Sequence, residues 1–252
     1  MGINMITTTR TITNNLVDIH SHIIYDVDDG SDSKEKSIEY LKEAKKCGIE
    51  KIVCTPHIRR GNREKIEKII KHFLELRTYA EKLEIELYLG TEILITENTC
   101  ELLKKKRLRS INGNKYILVE FRRDENMDIN NLIYKLEELS DTGYIPILAH
   151  PELYVNYRKI NDMKRIRDCG VLLQLDATSI NKSTTTSKIY KFSKKLLKER
   201  LIDVVASDTH CIKKRNYLSF YKAYKFVSKK YGQEYADIIF KENPNEIIKE
   251  QN

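Results

Sequence analysis

The sequence predicts an α/β protein, a barrel of parallel strands wrapped by helices, with its chemistry at the C-terminal ends of the strands. Three observations lead there. The length of 252 residues fits one such barrel, which commonly runs to about 250 residues. Short β-branched or apolar runs alternate seven times with longer amphipathic stretches, the pattern of repeated βα units. Five of the six histidines fall where those runs end, and in a parallel barrel these ends converge on one rim.

In chain order, strands are expected near 16–19, 51–54, 85–89, 116–120, 145–149, 171–175 and 203–206. Asp32 and Glu35 have the spacing of a capping box for a first helix, which Gly48 would stop. Ile66, Ile69, Ile70, Phe73, Leu76, Ala80 and Leu83 recur at helical spacing and define one apolar face, as do Leu132, Leu136 and Leu139 before Gly143. Tyr217, Phe220, Tyr221 and Tyr224 place an aromatic stripe on a final long helix. No internal repeat or low-complexity linker is visible, so residues 16–252 are expected to form one domain behind a short polar extension at 1–15.

Composition narrows the classes. With 40% hydrophobic and 33% charged residues the chain reads as soluble and globular, and no apolar stretch approaches the roughly 20 residues that span a bilayer. The polar N-terminus lacks the apolar core of a signal peptide. Cys47, Cys54, Cys100, Cys169 and Cys211 are odd in number and form no CxxC pair, which suits a reducing cytoplasm and suggests neither a disulfide framework nor a thiolate zinc site. The net charge of +8 would favour a polyanionic partner, but a lysine-rich solvated surface is the preferred account of it. The densest basic run, residues 104–109, has no interleaved aromatics for base stacking, so nucleic acid is not an expected partner.

The first strand runs into Asp18-Ile19-His20-Ser21-His22, and alternation along a strand would point Asp18, His20 and His22 to one side as a metal-binding edge. A lone HxH also arises by chance, and Asp28-Asp29-Gly30 reads first as a turn. The remaining strand ends add to the set: Thr55-Pro56-His57, Gly90-Thr91-Glu92, Glu120, His150-Pro151-Glu152 and Asp208-Thr209-His210. Only His72 lies apart, on the amphipathic helix, where a solvated surface position is expected. Imidazole nitrogens mixed with carboxylate oxygens suit manganese, iron or zinc, and several carboxylates can bridge closely spaced ions. Hydrolysis of a phosphoester by a metal-bridged hydroxide is the chemistry such a cluster would support.

These residues resemble the PHP superfamily, and most closely its bacterial tyrosine phosphatases of capsule and exopolysaccharide operons. The shared motifs are DIHSHI at 18–23, DDG at 28–30, TPH at 55–57, GTE at 90–92, VEF at 119–121, AHPE at 149–152 and SDTH at 207–210, and they cover nearly the whole chain in order. The resemblance implies a distorted seven-stranded β/α barrel. It also implies a three-ion, manganese-preferring site held by His20, His22, Asp29, His57, Glu92, Glu120, His150, Asp208 and His210. The activity implied is removal of phosphate from the tyrosine-rich tail of a bacterial tyrosine kinase that controls polysaccharide export. Asp208 or His210 would protonate the leaving group, and Arg215 would hold the phosphate. A homo-oligomer is left open.

Two departures from the family stand out. Leu153 occupies the place after HPE where an arginine usually helps hold phosphate, leaving Arg158, Arg59 or Arg60 to compensate. The stretch from Gln174 to Ser179 lacks the glycine-bearing loop common in the family. Other readings compete. Cys54 and Arg60 match the C-x5-R spacing of thiolate phosphatases, although Pro56 removes an amide donor that a phosphate cradle needs. A histidinol-phosphate phosphatase or another small-phosphoester hydrolase would use nearly the same ligands. A non-catalytic module that binds a kinase or nucleic acid would account for Leu153.

Overall fold

The computed structural model describes residues 14–58, 62–122, 128–154, 159–183, 185–210 and 215–249. The expected alternation is present throughout. Strand β1 (Leu16–Ser21) leads through helix α1 (Lys34–Lys46) to β2 (Ile49–Cys54), and α2 (Arg63–Lys82) leads to β3 (Glu86–Leu89). Next come β4 (Glu92–Leu94), α3 (Thr99–Lys104), β5 (Tyr116–Glu120), α4 (Ile129–Ser140) and β6 (Ile145–Ala149). The chain continues through α5 (Ile160–Asp168), β7 (Leu172–Asp176), α6 (Ser187–Lys198) and β8 (Val204–Ala206).

All pairings are parallel, in two runs, β1-β2-β3 and β4-β5-β6-β7-β8. The expected third strand is β3, and β4 is an additional short strand separated from it by Gly90-Thr91. Gly90 N–H donates to Cys54 O at 2.9 Å and Glu92 N–H to Thr55 O at 3.2 Å, so the chain steps across the seam there. Isolated bridges His57↔Glu92 and Ser21↔Thr209 join the two runs at both seams. At the second seam His22 N–H donates to Thr209 O and Asp208 N–H to His20 O. The backbone bonds that join the sheets therefore also place five of the candidate ligands.

Two apolar layers hold the strands. An inner cluster contains Val17, Ile19, Val53, Leu118, Ile147, Ala149, Val204 and Ala206. A larger outer cluster packs strand residues such as Ile52, Ile117 and Leu173 against Tyr40 and Leu41 of α1, Phe73 and Leu76 of α2, and Leu132, Leu136 and Leu139 of α4. At about 25 cal/mol per Å² of apolar surface removed from water, each such side chain contributes about 1.5–3 kcal/mol.

Several local expectations need correction. Helix α1 starts one residue late for a box built on Asp32: Ser33 is the N-cap and makes no side-chain cap bond, while the Asp32 carboxylate pairs with Lys36. Strand β8 begins at Val204 because the Asp203 carboxylate, gripped by Arg167, accepts the Leu173 N–H. The aromatic stripe lies on α7 (Tyr217–Tyr231), but α7 is not the last helix. Helix α8 (Gln233–Asp237), a π-helical turn (Ile238–Glu242) and α9 (Asn243–Ile248) follow it, with Ile239 and Phe240 buried in the outer core. His72 is not a free surface residue either. Its Nδ1 lies 2.9 Å from Tyr25 O and its ring stacks on the Tyr25 ring at 4.1 Å.

Candidate active site

Strand β1 carries a register shift between Asp18 and Ser21 where it pairs with β2, and Asp18 joins none of the ligand groups found among the described residues. Asp18 is instead committed to the β8 seam, accepting from Ser207 N at 2.8 Å and Ser207 Oγ at 2.6 Å. His20 and His22 converge, with their Nε2 atoms 3.1 Å apart. Each ring is aimed by an acceptor on its other nitrogen: Gln174 Oε1 lies 2.8 Å from His20 Nδ1, and Asp28 Oδ2 lies 2.9 Å from His22 Nδ1. Such outer partners fix the tautomer and leave Nε2 free to face a cation.

Glu92 is the centre. Its Oε2 lies 3.2 Å from His20 Nε2, His22 Nε2 and His57 Nδ1, and its Oε1 lies 3.0 Å from His150 Nε2. Around it, Glu120 approaches His57 at 3.6 Å and His150 at 3.8 Å. Asp208 lies 3.3 Å from His20 and 3.0 Å from His210 Nδ1. Asp29, the outermost member at 67% exposed, lies 3.6 Å from His57 and 3.7 Å from His210. The structure thus gathers all nine side chains singled out by the sequence.

Among the described residues three subsets have ligand atoms close enough to share one ion: His22, Asp29, His57 and His210; His20, His22 and Asp208; His57, Glu92 and Glu120. Mixed nitrogen and oxygen donors of this kind fit first-row divalent cations. The electrostatics fit as well. Burial lowers the His20 pKa, but the Glu92 and Asp208 carboxylates outweigh it and raise the pKa to about 9. Burial would raise Glu92, yet His20, His150 and His22 hold it well below the usual carboxylate range. Carboxylates packed this tightly draw in positive charge, a proton where no metal competes for the place.

The cluster forms the floor of a pocket of about 500 Å³, whose wall adds Leu94, Phe121, Arg122 and Arg215. Arg215 is 25% exposed, with Nη1 2.7 Å from Asp208 Oδ2 and Nε 3.4 Å from Asp176 Oδ2. Glu152 lies behind it, accepting the Asp176 N–H at 3.1 Å; burial and then Asp176 push its carboxyl up to about 8. His150 and Asp208 adopt left-handed backbone angles, φ 37° and 48°. This strain costs about 1 kcal/mol or more at each non-glycine residue.

Sequence reasoning missed Asp28, Gln174, Asp176 and Arg122. Asp28 carried a signal in the DDG motif but was read as turn chemistry. It does both: Oδ1 accepts the Gly30 N–H, while Oδ2 faces His22 and accepts the His57 N–H. Leu153, half-buried in a 3-10 turn at Pro151–Leu153, is not among the described residues lining the pocket. Arg59, Arg60, Arg158 and Cys211 lie outside the described residues. Cys54 is fully buried, and burial pushes its thiol far above the ordinary range, which disfavours a thiolate nucleophile.

Comparison with known proteins agrees with this geometry. Tyrosine-protein phosphatase CpsB of Streptococcus pneumoniae is 36% identical over 247 residues, covering 94% of this chain and 99% of that protein. Tyrosine-protein phosphatase YwqE of Bacillus subtilis is 31% identical over 241 residues, covering 94% and 92%. A crystal structure from work on YwqE and CpsB, described there as unique metal-dependent tyrosine phosphatases, superposes with a TM-score of 0.80 at 29% identity. That match covers 94% of this chain and 96% of the other. The profile of the capsular polysaccharide synthesis family CpsB/CapC matches residues 16–249, and the chain belongs to that family.

Proposed function

We propose that residues 16–252 form one domain, a metal-dependent phosphatase that removes phosphate from tyrosine side chains of a protein. The observation that carries this reading is the Glu92-centred cluster of histidines and carboxylates on the floor of a pocket walled by arginines. Its relatives are named tyrosine-protein phosphatases, a solved pair of them is described as metal-dependent, and its family is one of capsular polysaccharide synthesis; this chain does the same chemistry. Its partner is the phosphotyrosine-bearing tail of a bacterial tyrosine kinase in polysaccharide synthesis. Manganese is the proposed metal, as three ions, and the cytoplasm the proposed compartment. Among the described residues no helix is long and apolar enough to cross a membrane.

His20, His22, Asp29, His57, Glu92, Glu120, His150, Asp208 and His210 would hold the ions. Bound cations supply Lewis-acid activation of water and neutralise charge on the phosphoryl oxygens. The protein's own groups do the rest. Arg215 presents a guanidinium, steadied by Asp208 and Asp176, to the phosphoryl oxygens. Burial would raise Asp208, but His20, His210 and Arg215 hold it well below the usual range, so it stays ionised and is a poor acid. His210, at the pocket wall with Nδ1 2.8 Å from the Asp208 carbonyl, can carry the leaving-group proton only when its Nε2, 3.7 Å from Asp29, is released from an ion.

The test is hydrolysis of a phosphotyrosyl peptide, histidinol phosphate and a single-stranded oligonucleotide by metal-stripped protein, before and after manganese is restored. Manganese-dependent turnover of the peptide above the other two is expected. Activity unaffected by chelation would sink the metal reading, and preference for histidinol phosphate would replace the substrate.

A further inference from the structure

The pocket wall carries its positive charge at two described residues, Arg122 and Arg215. Arg215 is already engaged by two buried carboxylates, Asp208 and Asp176. Position 153, where the family pattern calls for a second arginine, holds leucine and stays out of the described pocket lining. Arg122 is exposed and follows Glu120 by two residues at the end of β5. Glu120, Phe121 and Arg122 all line the one pocket, so the chain leaving β5 brings the Arg122 side chain to the space that the Glu120 carboxylate faces.

The residue before it is held in place. Phe121, between Glu120 and Arg122, donates its N–H to Tyr154 Oη at 3.0 Å, and the two rings meet edge to face at 6.3 Å. Tyr154 directly follows Leu153, and β5 pairs with β6, the strand that leads to His150 and Leu153. Neighbouring strands lie roughly 4.8 Å apart, a distance an arginine side chain spans. The missing charge can therefore be supplied from one strand over.

We propose that Arg122 grips the phosphoryl group of the substrate in this protein, doing from the end of β5 what an arginine at position 153 does from the end of β6. The inference rests on the phosphatase reading and deepens it by naming a residue that sets phosphoester affinity. A planar guanidinium can bind two phosphoryl oxygens at once. A grip made equally in the bound substrate and the transition state lowers KM and leaves kcat nearly unchanged.

The experiment compares wild-type, Arg122→Gln, Arg215→Gln and Arg122→Gln/Leu153→Arg full-length proteins with manganese restored. It reads kcat and KM on a phosphotyrosyl peptide free of acidic residues, and inhibition by inorganic phosphate. Arg122→Gln is expected to raise KM and the phosphate inhibition constant together by about tenfold or more. Its kcat, metal content and melting temperature should hold, because the side chain is exposed, and Leu153→Arg in that background should recover the phosphate affinity. An unchanged inhibition constant in Arg122→Gln, beside a weakened one in Arg215→Gln, would overturn the proposal and leave the phosphatase reading standing. A rise in KM for the peptide without a matching change for inorganic phosphate would overturn it too, by moving Arg122 to the peptide. Wild-type protein that turns over no phosphotyrosine would fail the phosphatase reading itself, while inorganic phosphate binding would still decide what Arg122 holds.

Discussion

Replacing Gly30 with alanine should dislocate the active site without touching any ligand. An ideal Cβ at Gly30 would stand 2.1 Å from the His22 carbonyl oxygen, 2.5 Å from His22 Cβ and 2.9 Å from its carbonyl carbon. Backbone atoms cannot rotate away, so restoring an ordinary contact needs a shift of roughly 1 Å or more. The turn has little slack for that movement. Ser31 N–H donates to the same His22 oxygen at 3.0 Å, Asp26 N–H to Ser31 O at 2.8 Å, and Gly30 N–H to Asp28 Oδ1 at 3.0 Å. Overpacking costs about 1–3 kcal/mol and a lost backbone bond about 1 kcal/mol, so the expected destabilisation is about 2–4 kcal/mol.

Turnover should suffer more than folding. Asp28 both aims the His22 ring and receives the His57 N–H, so a displaced turn moves ligands on two strands, and a misplacement near 1 Å costs about a hundredfold in rate. Urea denaturation of metal-free protein reads the first quantity, and hydrolysis of a phosphotyrosyl peptide with manganese restored reads the second. Gly143→Ala is the control. Its φ of 91° makes alanine strained, but no atom lies within 4 Å of the added carbon, so it should lose about 1 kcal/mol of stability and no kcat. A Gly30→Ala protein with unchanged midpoint and turnover would refute the reasoning, since the turn would then have yielded without moving His22 or Asp28.

Two further outcomes are expected. Cys54→Ser should leave turnover largely intact and His57→Ala should abolish it; the reverse result would restore the cysteine mechanism, against the burial of Cys54 in the outer core. The pH dependence follows from His20, whose pKa is raised from 6.5 to about 9. A raised folded-state value means that protonation stabilises the metal-free protein fully below pH 6.5, and this contribution is lost as pH rises through about 9. A divalent cation must displace that proton, so manganese affinity should climb between those limits, by up to about tenfold per pH unit for each proton released. Calorimetric titration in two buffers of different ionisation enthalpy measures the release, and an affinity flat across the range would contradict it.

The strands and helices were legible because most segments state their pattern locally. Leu132, Leu136 and Leu139 need only their own spacing to mark a buried face, and the outer core holds all three. The candidate ligands were legible because they cluster at strand ends, where a parallel barrel brings distant residues together whatever the detail of the helices. What stayed hidden depends on pairs remote in sequence. Gln174 meets His20 across 154 positions, and neither neighbourhood announces the other. The bonds that commit Asp18 to Ser207 are likewise a property of the seam with the last strand, not of the Asp-Ile-His run. Asp32 failed as a cap because a serine with extended angles stood one residue closer to the helix.

The hidden residues also explain why this arrangement persists although it opposes folding. His150 and Asp208 hold backbone angles that cost energy, and Glu92 and Asp208 keep their charge while fully buried. A sequence selected for stability alone would relax such features, and places where local rules are broken together mark function. Gln174 and Asp28 sharpen the point, since each secures the outer nitrogen of a histidine whose inner nitrogen faces other donors. Rigid donors that crowd one another without a shared proton for each contact are complementary to a cation. It follows that the free energy this centre withholds from the metal-free fold is returned when ions bind. Loaded protein should therefore unfold at a higher denaturant concentration than stripped protein, and His57→Ala should narrow that gap even where its stripped form is as stable as the wild type.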